Sequence, residues 1–494
     1  MILRQLSWKN TVAALLLALA LRLLFIFHFP FYAGDTKFYE ELARNWLYHG
    51  VYGLFIQGRL VPVDQRMPGY PAFLAAIYAV WGRSRTVVRL VQAAIDIGTC
   101  LLVAKIAATL APPAQRKRIA TAALWLAALC PFTSNYTAAI LTETLATFIT
   151  AAAMLVLVRA LADISAEPPS NSSIDAANTA SSRQALLPRT RQWLLCGFLA
   201  GLGTLVRPET PLLLAAAGLV LAVRWWRPSN WSKLLLAGSW MLVGLLIPLT
   251  PWAARNARTL GRIEFLSPVH AESRGDFIPR GFFAWTRTWS IHFHDAYEIN
   301  WKFGKQPIPM QSFPPSAFDS AAERAQVADL LARYYADVNA RPLLDHDFAV
   351  LARFRAARHP LRVFIYIPLA RAWNIWFTPR LELMPYSGSL WPPPERWRAN
   401  PWDFAVTLGF GILNFLYAGL ALAGIFRFRQ GLRQNPHHNL GSTLAMAFLV
   451  VFLVIRTALL TQLPTVEPRY VLPCFPALLA IGAQAWAVRD RRSA

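Results

Sequence analysis

The chain of 494 residues carries little charge, and acidic residues are especially few. Only 15% of its residues are charged, whereas an ordinary soluble domain has about 25%. The 26 acidic residues face 49 lysines and arginines, which gives a net charge of +23. These basic residues lie in short clusters between apolar runs, so they indicate membrane topology rather than binding to nucleic acid.

Cysteine is also scarce, and its placement excludes two classes of site. The four cysteines all lie in or beside apolar runs, and none forms a CxxC pair: Cys100, Cys130, Cys196 and Cys474. The sequence therefore predicts neither a disulfide framework nor a cysteine metal site. We also recognise no internal repeat.

What the sequence has in abundance is long apolar runs, since 55% of its residues are hydrophobic. The runs are about 18 to 25 residues long, which is enough to cross a hydrocarbon core roughly 30 Å thick. Two shorter apolar stretches, 69–82 and 361–377, are ambiguous because of their length. We predict an all-α polytopic membrane protein with about 10 to 13 transmembrane helices. Ten stretches are the candidate spans: 10–29, 86–110, 119–135, 139–161, 192–206, 209–226, 234–252, 402–425, 441–462 and 470–488.

Positive charge orients these spans. With the N-terminus inside, the basic clusters fall on the inner side, and the short outer hinges carry only Arg207 and Arg469. The first apolar run follows basic residues without a small-x-small cleavage site, so we expect an uncleaved signal anchor. We therefore predict a multi-pass protein of the plasma or inner membrane with its chemistry on the outer face.

The span pattern divides the chain into three regions. Residues 1–252 form an N-terminal transmembrane module with an outer loop at 30–85, and 402–494 form the C-terminal transmembrane helices. Between them, 253–401 is an outer-face region with interfacial helices, including a helical pattern over 318–359. An inner loop at 162–191 is polar and Pro-containing, which is typical of disorder.

An acidic residue follows the first apolar run. Asp35 precedes Phe38, Tyr39, Leu42 and Trp46, whose spacing predicts a helix lying in the membrane interface. One interpretation is that Asp35 caps this helix. The other is that its carboxylate is a general base beside a lipid-borne substrate.

Further polar residues occur where the chain meets the membrane. Arg66 and Tyr70 flank the turn in "QRMPGYPAF", and Glu143 lies near the outer end of an apolar span. Charge inside a membrane is costly, so Glu143 either lies at headgroup level or has a function. Arg207 in "GTLVRPETP" and Arg469 in "TVEPRYVLP" either extend to lipid phosphates or together bind one phosphate group.

Several of these stretches, in this order, resemble the GT-C glycosyltransferases. The run "GDTKFYEELARNWLYHGVYG…RMPGYPAFLAAIY" is similar to their first outer loop, and "LCPFTSNYTAAILTETLATF" to the second. "GLGTLVRPETPLLL" and "PRYVLPCFPALLA" look like their later Arg-Pro and Arg-Tyr elements. More narrowly, the chain resembles the branch of protein O-mannosyltransferases, lipid A aminoarabinose transferases and Rgt-type enzymes. The stretch 253–401 is the least alike.

The resemblance implies sugar transfer from a polyprenyl-phosphate donor to a glycolipid, polysaccharide or protein acceptor. Because a single displacement needs only one base and an activated donor, we expect inversion. It implies that Asp35 and Glu143 are the catalytic acids of the two loops. A divalent metal is an open question, with Asp35 and Glu143 as its candidate ligands. The candidate substrate-binding residues are Tyr39, Arg66, Tyr70, Arg207, Arg469 and Tyr470.

A different class of function starts from charges inside the predicted spans. Arg22, Asp96 and Lys105 could form buried ion pairs between helices, or they could be the coupling residues of a secondary transporter or flippase. Transporters of this kind often contain repeats in matching halves, and the lack of a recognised repeat favours the glycosyltransferase.

Overall fold

A computed structural model describes residues 7–32, 34–166, 179–268, 276–434 and 440–488. In these ranges the regular secondary structure is helical apart from one antiparallel hairpin, in which β1 (Gly53–Ile56) pairs with β2 (Arg59–Pro62), and one isolated bridge between Phe31 and Ala139. The first ten helices are α1 (Trp8–His28), α2 (Gly34–His49), α3 (Gly69–Trp81), α4 (Arg85–Leu110), α5 (Arg116–Ala128), α6 (Pro131–Ser134), α7 (Glu143–Ala162), α8 (Thr179–Thr204), α9 (Leu212–Arg224) and α10 (Trp231–Leu260).

The described part of the second half of the chain contains nine further helices, of which two, Pro401–Gln434 and Leu440–Gln462, are long and apolar. The nine helices are α11 (Arg280–Thr286), α12 (Phe293–Asp295), α13 (Ala321–Ala336), α14 (Arg341–Arg358), α15 (Ile367–Phe377), α16 (Pro393–Ala399), α17 (Pro401–Gln434), α18 (Leu440–Gln462) and α19 (Phe475–Gly482). The helical pattern predicted over 318–359 is thus two helices with a break between them.

Six helices in the described ranges are long and apolar enough to cross a membrane. They are Trp8–His28, Arg85–Leu110, Glu143–Ala162, Pro228–Leu260, Pro401–Arg433 and Leu440–Gln462. This confirms the prediction of an all-α, multi-pass integral membrane protein.

The other four predicted spans correspond to shorter or partial helices. The stretch 119–135 is interrupted after α5, 192–206 is the end of α8, and 209–226 contains the 13-residue α9. The stretch 470–488 begins with a 3₁₀ helix before the eight-residue α19. Prolines lie at or close to these interruptions. A proline has no backbone N–H to continue the helical hydrogen bonding, so the helix stops there. The ambiguous stretch 69–82 forms α3, which has 13 residues, or about 20 Å.

The predicted inner loop is only partly described. The chain continues from α7 into a short 3₁₀ helix, Asp163–Ala166, and α8 begins at Thr179. The intervening residues 167–178 lie outside the described ranges, so the disorder expected there stays a prediction.

The chain divides into two compact units. The first comprises 1–271, 381–455 and 472–494, and the second comprises 272–380 and 456–471. The predicted outer-face region 253–401 overlaps mainly with the second unit. That unit has an aromatic core, in which the rings of Phe282 and Phe303 stack at 3.5 Å and Phe348 packs edge-on against Phe282.

Candidate active site

Asp35 forms an ion pair with Arg66. It lies in the first turn of α2, where an acidic side chain complements the helix dipole, rather than before the helix as a cap. Nη2 of Arg66 is 3.1 Å from Oδ1 of Asp35, and the two side chains are 26% and 31% exposed. The guanidinium also lies 5.6 Å from the ring of Phe38. This carboxylate is therefore oriented by a partner and still accessible to a substrate.

Arg207 joins two glutamates. Its Nη1 is 3.1 Å from Oε1 of Glu143, and its Nε is 2.7 Å from Oε1 of Glu209. Glu143 is the first residue of α7 and is almost fully buried, while Arg207 lies in the turn between α8 and α9. The sequence predicted Glu143 and Arg207 but missed Glu209, although "RPE" places it two positions from the arginine.

Two hydrogen bonds connect the segments that carry these ion pairs. The hydroxyl of Thr36 donates to the carbonyl of Ile140, 3.1 Å away. The N–H of Gly69 donates to the carbonyl of Leu205 at 2.6 Å. Each contact involves residues within three positions of an ion-paired residue, so the bonds and ion pairs form a closed ring. We call its charged members the ion-pair site: Asp35, Arg66, Glu143, Arg207 and Glu209.

The two predicted tyrosines have different environments. The rings of Tyr39 and Tyr70 are 5.1 Å apart in an edge-on arrangement, and Tyr39 is only half-buried. Tyr70 is fully buried, and its hydroxyl donates to Oε1 of Gln92 at 2.7 Å. Burial, together with the charge of Glu143, raises the pKa of Tyr70 well above its usual value. Tyr70 therefore stays neutral and supports the site, whereas Tyr39 can meet a substrate.

Gln92 extends this support to the chain segment before α7. Its amide nitrogen donates to the carbonyls of Thr137 and Ala139, at 3.2 and 2.8 Å. A buried amide with its donors and acceptor engaged holds a loop in one conformation. Gln92 had no distinguishing signal in the sequence, because its role depends on contacts with distant residues.

The helix that carries Asp35 is fixed by a second cluster. Both carboxylate oxygens of Glu40 accept hydrogen bonds at 2.8 Å from Arg85, and Arg83 lies 3.4 Å from Oε2. Burial raises the pKa of Glu40, but the hydrogen bond and charge of Arg85 outweigh it, so the net shift is downward. The cluster keeps α2 against the turn that joins α3 to α4.

Arg469 and Tyr470, which the sequence also predicted to bind substrate, belong to the second unit. Arg469 is ion-paired through Nε with Glu467, and the hydroxyl of Tyr470 donates to the same carboxylate at 2.9 Å. The buried Arg371 donates to the carbonyls of Thr461 and Leu463, at 2.9 and 3.2 Å. These bonds fix the end of α18, which precedes Glu467 and Arg469 in the chain. Sequence reasoning missed Glu467, which again lies two positions from the arginine with a proline between.

The divalent metal considered from the sequence stays a prediction. Across the residues that the structure describes, no three His, Cys, Asp or Glu side chains lie close enough together to hold an ion. Asp35 and Glu143 are instead each paired with an arginine. We therefore assign no catalytic step to a metal.

The charges inside the apolar helices form a buried ion pair. Nε and Nη2 of Arg22 lie 2.9 and 2.6 Å from one oxygen of Asp96, and both side chains are buried. Arg22 also donates to the carbonyls of Ala18 and Ala128. This geometry is that of a structural link between α1, α4 and α5. Lys105 is not among these contacts.

Comparison with solved structures finds archaeal oligosaccharyltransferases of Archaeoglobus fulgidus. The chain is similar to AglB in complex with an inhibitory peptide and a dolichol-phosphate, at 14% identity and a TM-score of 0.47, covering 97% of this chain and 50% of that one. It is also similar to the oligosaccharyltransferase in complex with Zn and sulfate, at 14% identity and a TM-score of 0.46, covering 96% and 48%.

The chain spans about half the length of the solved structures it matches. No family model matches the chain, and no curated protein matches it. We therefore base the function on the chain's own residues.

Proposed function

We propose that the chain is an integral-membrane glycosyltransferase. It transfers a sugar from a polyprenyl-phosphate donor to a glycolipid, polysaccharide or protein acceptor at the outer face of the membrane. The observation that carries this proposal is the ion-pair site, where an accessible carboxylate and two guanidinium groups are joined in one ring of contacts. A site with this chemistry on a bundle of membrane helices suits a substrate with a lipid tail and an anionic head.

Asp35 is the general base of the proposed reaction. The acceptor oxygen forms a bond to the anomeric carbon while the bond from that carbon to the phosphate oxygen breaks. The acceptor proton passes to the carboxylate of Asp35, and polyprenyl phosphate leaves with the bonding electrons. A single displacement needs one base and inverts the anomeric carbon, whereas retaining chemistry uses a close pair of carboxylates.

Arg66 is the main ligand for the donor phosphate. A guanidinium has five donors in a planar fork, so it can bind a carboxylate and a phosphate together. Arg66 is 26% exposed, whereas Arg207 is 11% exposed and already bridges two carboxylates. Charge that develops on the departing phosphate is stabilised by these fixed cations.

Glu143 is a positioning residue in this scheme. Its side chain is 2% exposed, so an acceptor hydroxyl cannot reach it without a large rearrangement. Its ion pair orients Arg207 toward the site, with Glu209 on the other side of the guanidinium. Tyr39 contributes an aromatic face for the sugar.

A transfer assay tests the proposal. Membranes carrying the wild-type chain, Asp35→Asn or Asp329→Asn receive a radiolabelled polyprenyl-phosphate sugar, and label in the acceptor fraction is counted. Asp329 is an exposed carboxylate in an i,i+4 pair with Arg333, so it is a matched control. We expect the Asp35 variant to lose at least about 100-fold in rate and the control to retain it.

Two outcomes contradict the proposal. Transfer that persists in Asp35→Asn removes this residue as the base. Label that enters vesicles without reaching any acceptor indicates a transporter or flippase, the alternative class. The structural role of the Arg22–Asp96 pair gives that alternative no specific support.

A further inference from the structure

A charged cavity lies in the first unit, lined by residues other than those of the ion-pair site. It has a volume of about 790 Å³, and its walls include Arg118, Leu420, Arg427 and Trp486. Among the described residues that line it, none is acidic. Neither arginine forms an ion pair with a described carboxylate, and both are exposed. Within the part of the chain that the structure describes, the cavity therefore combines two exposed arginines with an apolar wall.

The walls of this cavity are held by specific contacts. The amide of Gln115 bonds twice to the backbone of Val488, accepting from its N–H at 2.9 Å and donating to its carbonyl at 3.1 Å. Gln484 is buried and donates to the carbonyl of Ala107 at 3.0 Å. A Cβ on Gly424 would lie 2.0 Å from the carbonyl oxygen of Ile481, so only glycine permits this close packing of α17 on α19.

The position of the cavity corresponds to a membrane surface. Arg427 lies about 39 Å along α17 from Pro401, at roughly 1.5 Å per residue, which exceeds a hydrocarbon core of roughly 30 Å. Trp486 fits this position, because tryptophan is enriched at the level of the lipid headgroups in membrane proteins. The structure also brings together three segments that the charge pattern predicts to be inside: the start of α5, the end of α17 and the end of the described chain.

We infer that this cavity binds the phosphodiester headgroup of an anionic phospholipid from the inner leaflet. The two guanidinium groups bind the phosphate, while Leu420 and Trp486 contact the glycerol and upper acyl chains. A headgroup with net negative charge is favoured over a zwitterionic one, because no described acidic side chain lines the cavity to pair with an ammonium group. This site is independent of the proposed transferase activity.

Lipid binding to the purified full-length protein tests this inference. Native mass spectrometry in detergent follows titration with phosphatidylglycerol or phosphatidylcholine for the wild type and for Arg118→Gln/Arg427→Gln. We expect the wild type to prefer phosphatidylglycerol and the double variant to bind it about tenfold more weakly, since charge-assisted hydrogen bonds are lost. Each single substitution produces part of this loss.

The matched control is Arg429→Gln/Arg433→Gln, which removes the same charge from exposed positions of α17 that do not line the cavity. It should keep the preference, and melting temperatures verify that both double variants fold. Equal binding of the two lipids, or equal loss in the control, overturns the inference. Displacement of the lipid by an equal concentration of inorganic phosphate also overturns it, because the site would then recognise a soluble anion.

Discussion

Two arginines of the candidate sites share a local arrangement. Arg207 and Arg469 are each ion-paired with a glutamate two positions away, Glu209 and Glu467, with one proline between. Residues two apart do not face each other on a helix, so this pairing depends on the turn that the proline helps to form. The guanidinium groups are thus oriented before any substrate arrives.

The role of Glu143 separates positioning from catalysis. We predict that Glu143→Gln raises KM for the donor about tenfold and leaves kcat nearly unchanged, because a charged hydrogen bond to Arg207 is worth about 1.5 to 3 kcal/mol. Steady-state kinetics with the polyprenyl-phosphate sugar measures both constants. Glu209→Gln is the matched comparison on the same guanidinium, and it should give a similar but smaller rise in KM.

The opposite pattern would reverse the assignment of roles. A Glu143→Gln variant with an unchanged KM and a kcat reduced by orders of magnitude would make Glu143 the base instead of Asp35.

At the residue scale, the sequence could predict charged residues but not their partners. Asp35, Arg66, Glu143 and Arg207 were recognisable because charge at a membrane boundary is unusual and needs a reason. Which carboxylate meets which guanidinium depends on how distant loops pack, and Gln92 had no such signal because amides are common on helices. The assignment of catalytic roles stays a prediction.

At the scale of elements, the start of α3 lies unusually close to the turn after α8. A Cβ on Gly69 would lie 2.6 Å from the carbonyl oxygen of Leu205 and 2.7 Å from its carbon, both backbone atoms that cannot move aside. This contact links the loop of Arg66 to that of Arg207.

Substitution of Gly69 tests this link. We predict that Gly69→Ala lowers the melting temperature, with overpacking costing about 1 to 3 kcal/mol, and that it reduces transfer by separating the two arginines. Gly218→Ala is the control, since nothing lies within 4 Å of a Cβ there. That helix-interior change should stabilise the protein by about 0.5 to 1 kcal/mol. Equal melting temperatures for the wild type and Gly69→Ala would contradict the close contact.

The attachment of α2 depends on pH through Glu40. Because the pKa of Glu40 is lowered in the folded protein, its ion pairs stabilise the fold fully above the ordinary carboxyl pKa of 4.5. This stabilisation is lost as the pH falls through the lowered folded-state value. We predict that the melting temperature of the wild type in detergent falls more steeply below pH 4.5 than that of Glu40→Gln.

The control for this pH series is Glu395→Gln, because Glu395 is exposed on α16. Below pH 4.5 its melting temperature should fall as steeply as that of the wild type. Parallel curves for the wild type and Glu40→Gln would show that the cluster does not contribute to acid stability.

Sequence patterns predicted the long helices better than the short ones. Hydropathy identified all six described helices that are both long and apolar enough to span, because apolar runs of that length occur mainly in membrane spans. It also assigned spans to the regions of α5, α9 and α19, where average hydropathy is high but prolines interrupt the helix. Hydropathy averages do not register where backbone hydrogen bonding stops.

For the molecule as a whole, the Arg22–Asp96 pair joins the first helices of the bundle. We predict that Asp96→Asn destabilises the fold by about 3 to 5 kcal/mol, since a buried guanidinium loses its counter-charge. Transfer per folded molecule should stay unchanged. Melting temperature and the transfer assay on the purified protein measure the two effects separately.

Replacement of both partners is the control for this pair. Arg22→Met/Asp96→Leu removes both buried charges and should be more stable than Asp96→Asn alone. If Asp96→Asn instead kept wild-type stability but lost solute uptake, the Arg22–Asp96 pair would be assigned to transport.

The central claim is that the ion-pair site binds the head of a lipid-linked sugar donor. The most direct measurement is an experimental structure of the full chain with bound polyprenyl phosphate. We predict a phosphate oxygen about 3 Å from a guanidinium nitrogen of Arg66, with the carboxylate of Asp35 facing the adjoining space for sugar and acceptor. A phosphate bound elsewhere, with the ion-pair site unoccupied, would contradict the account.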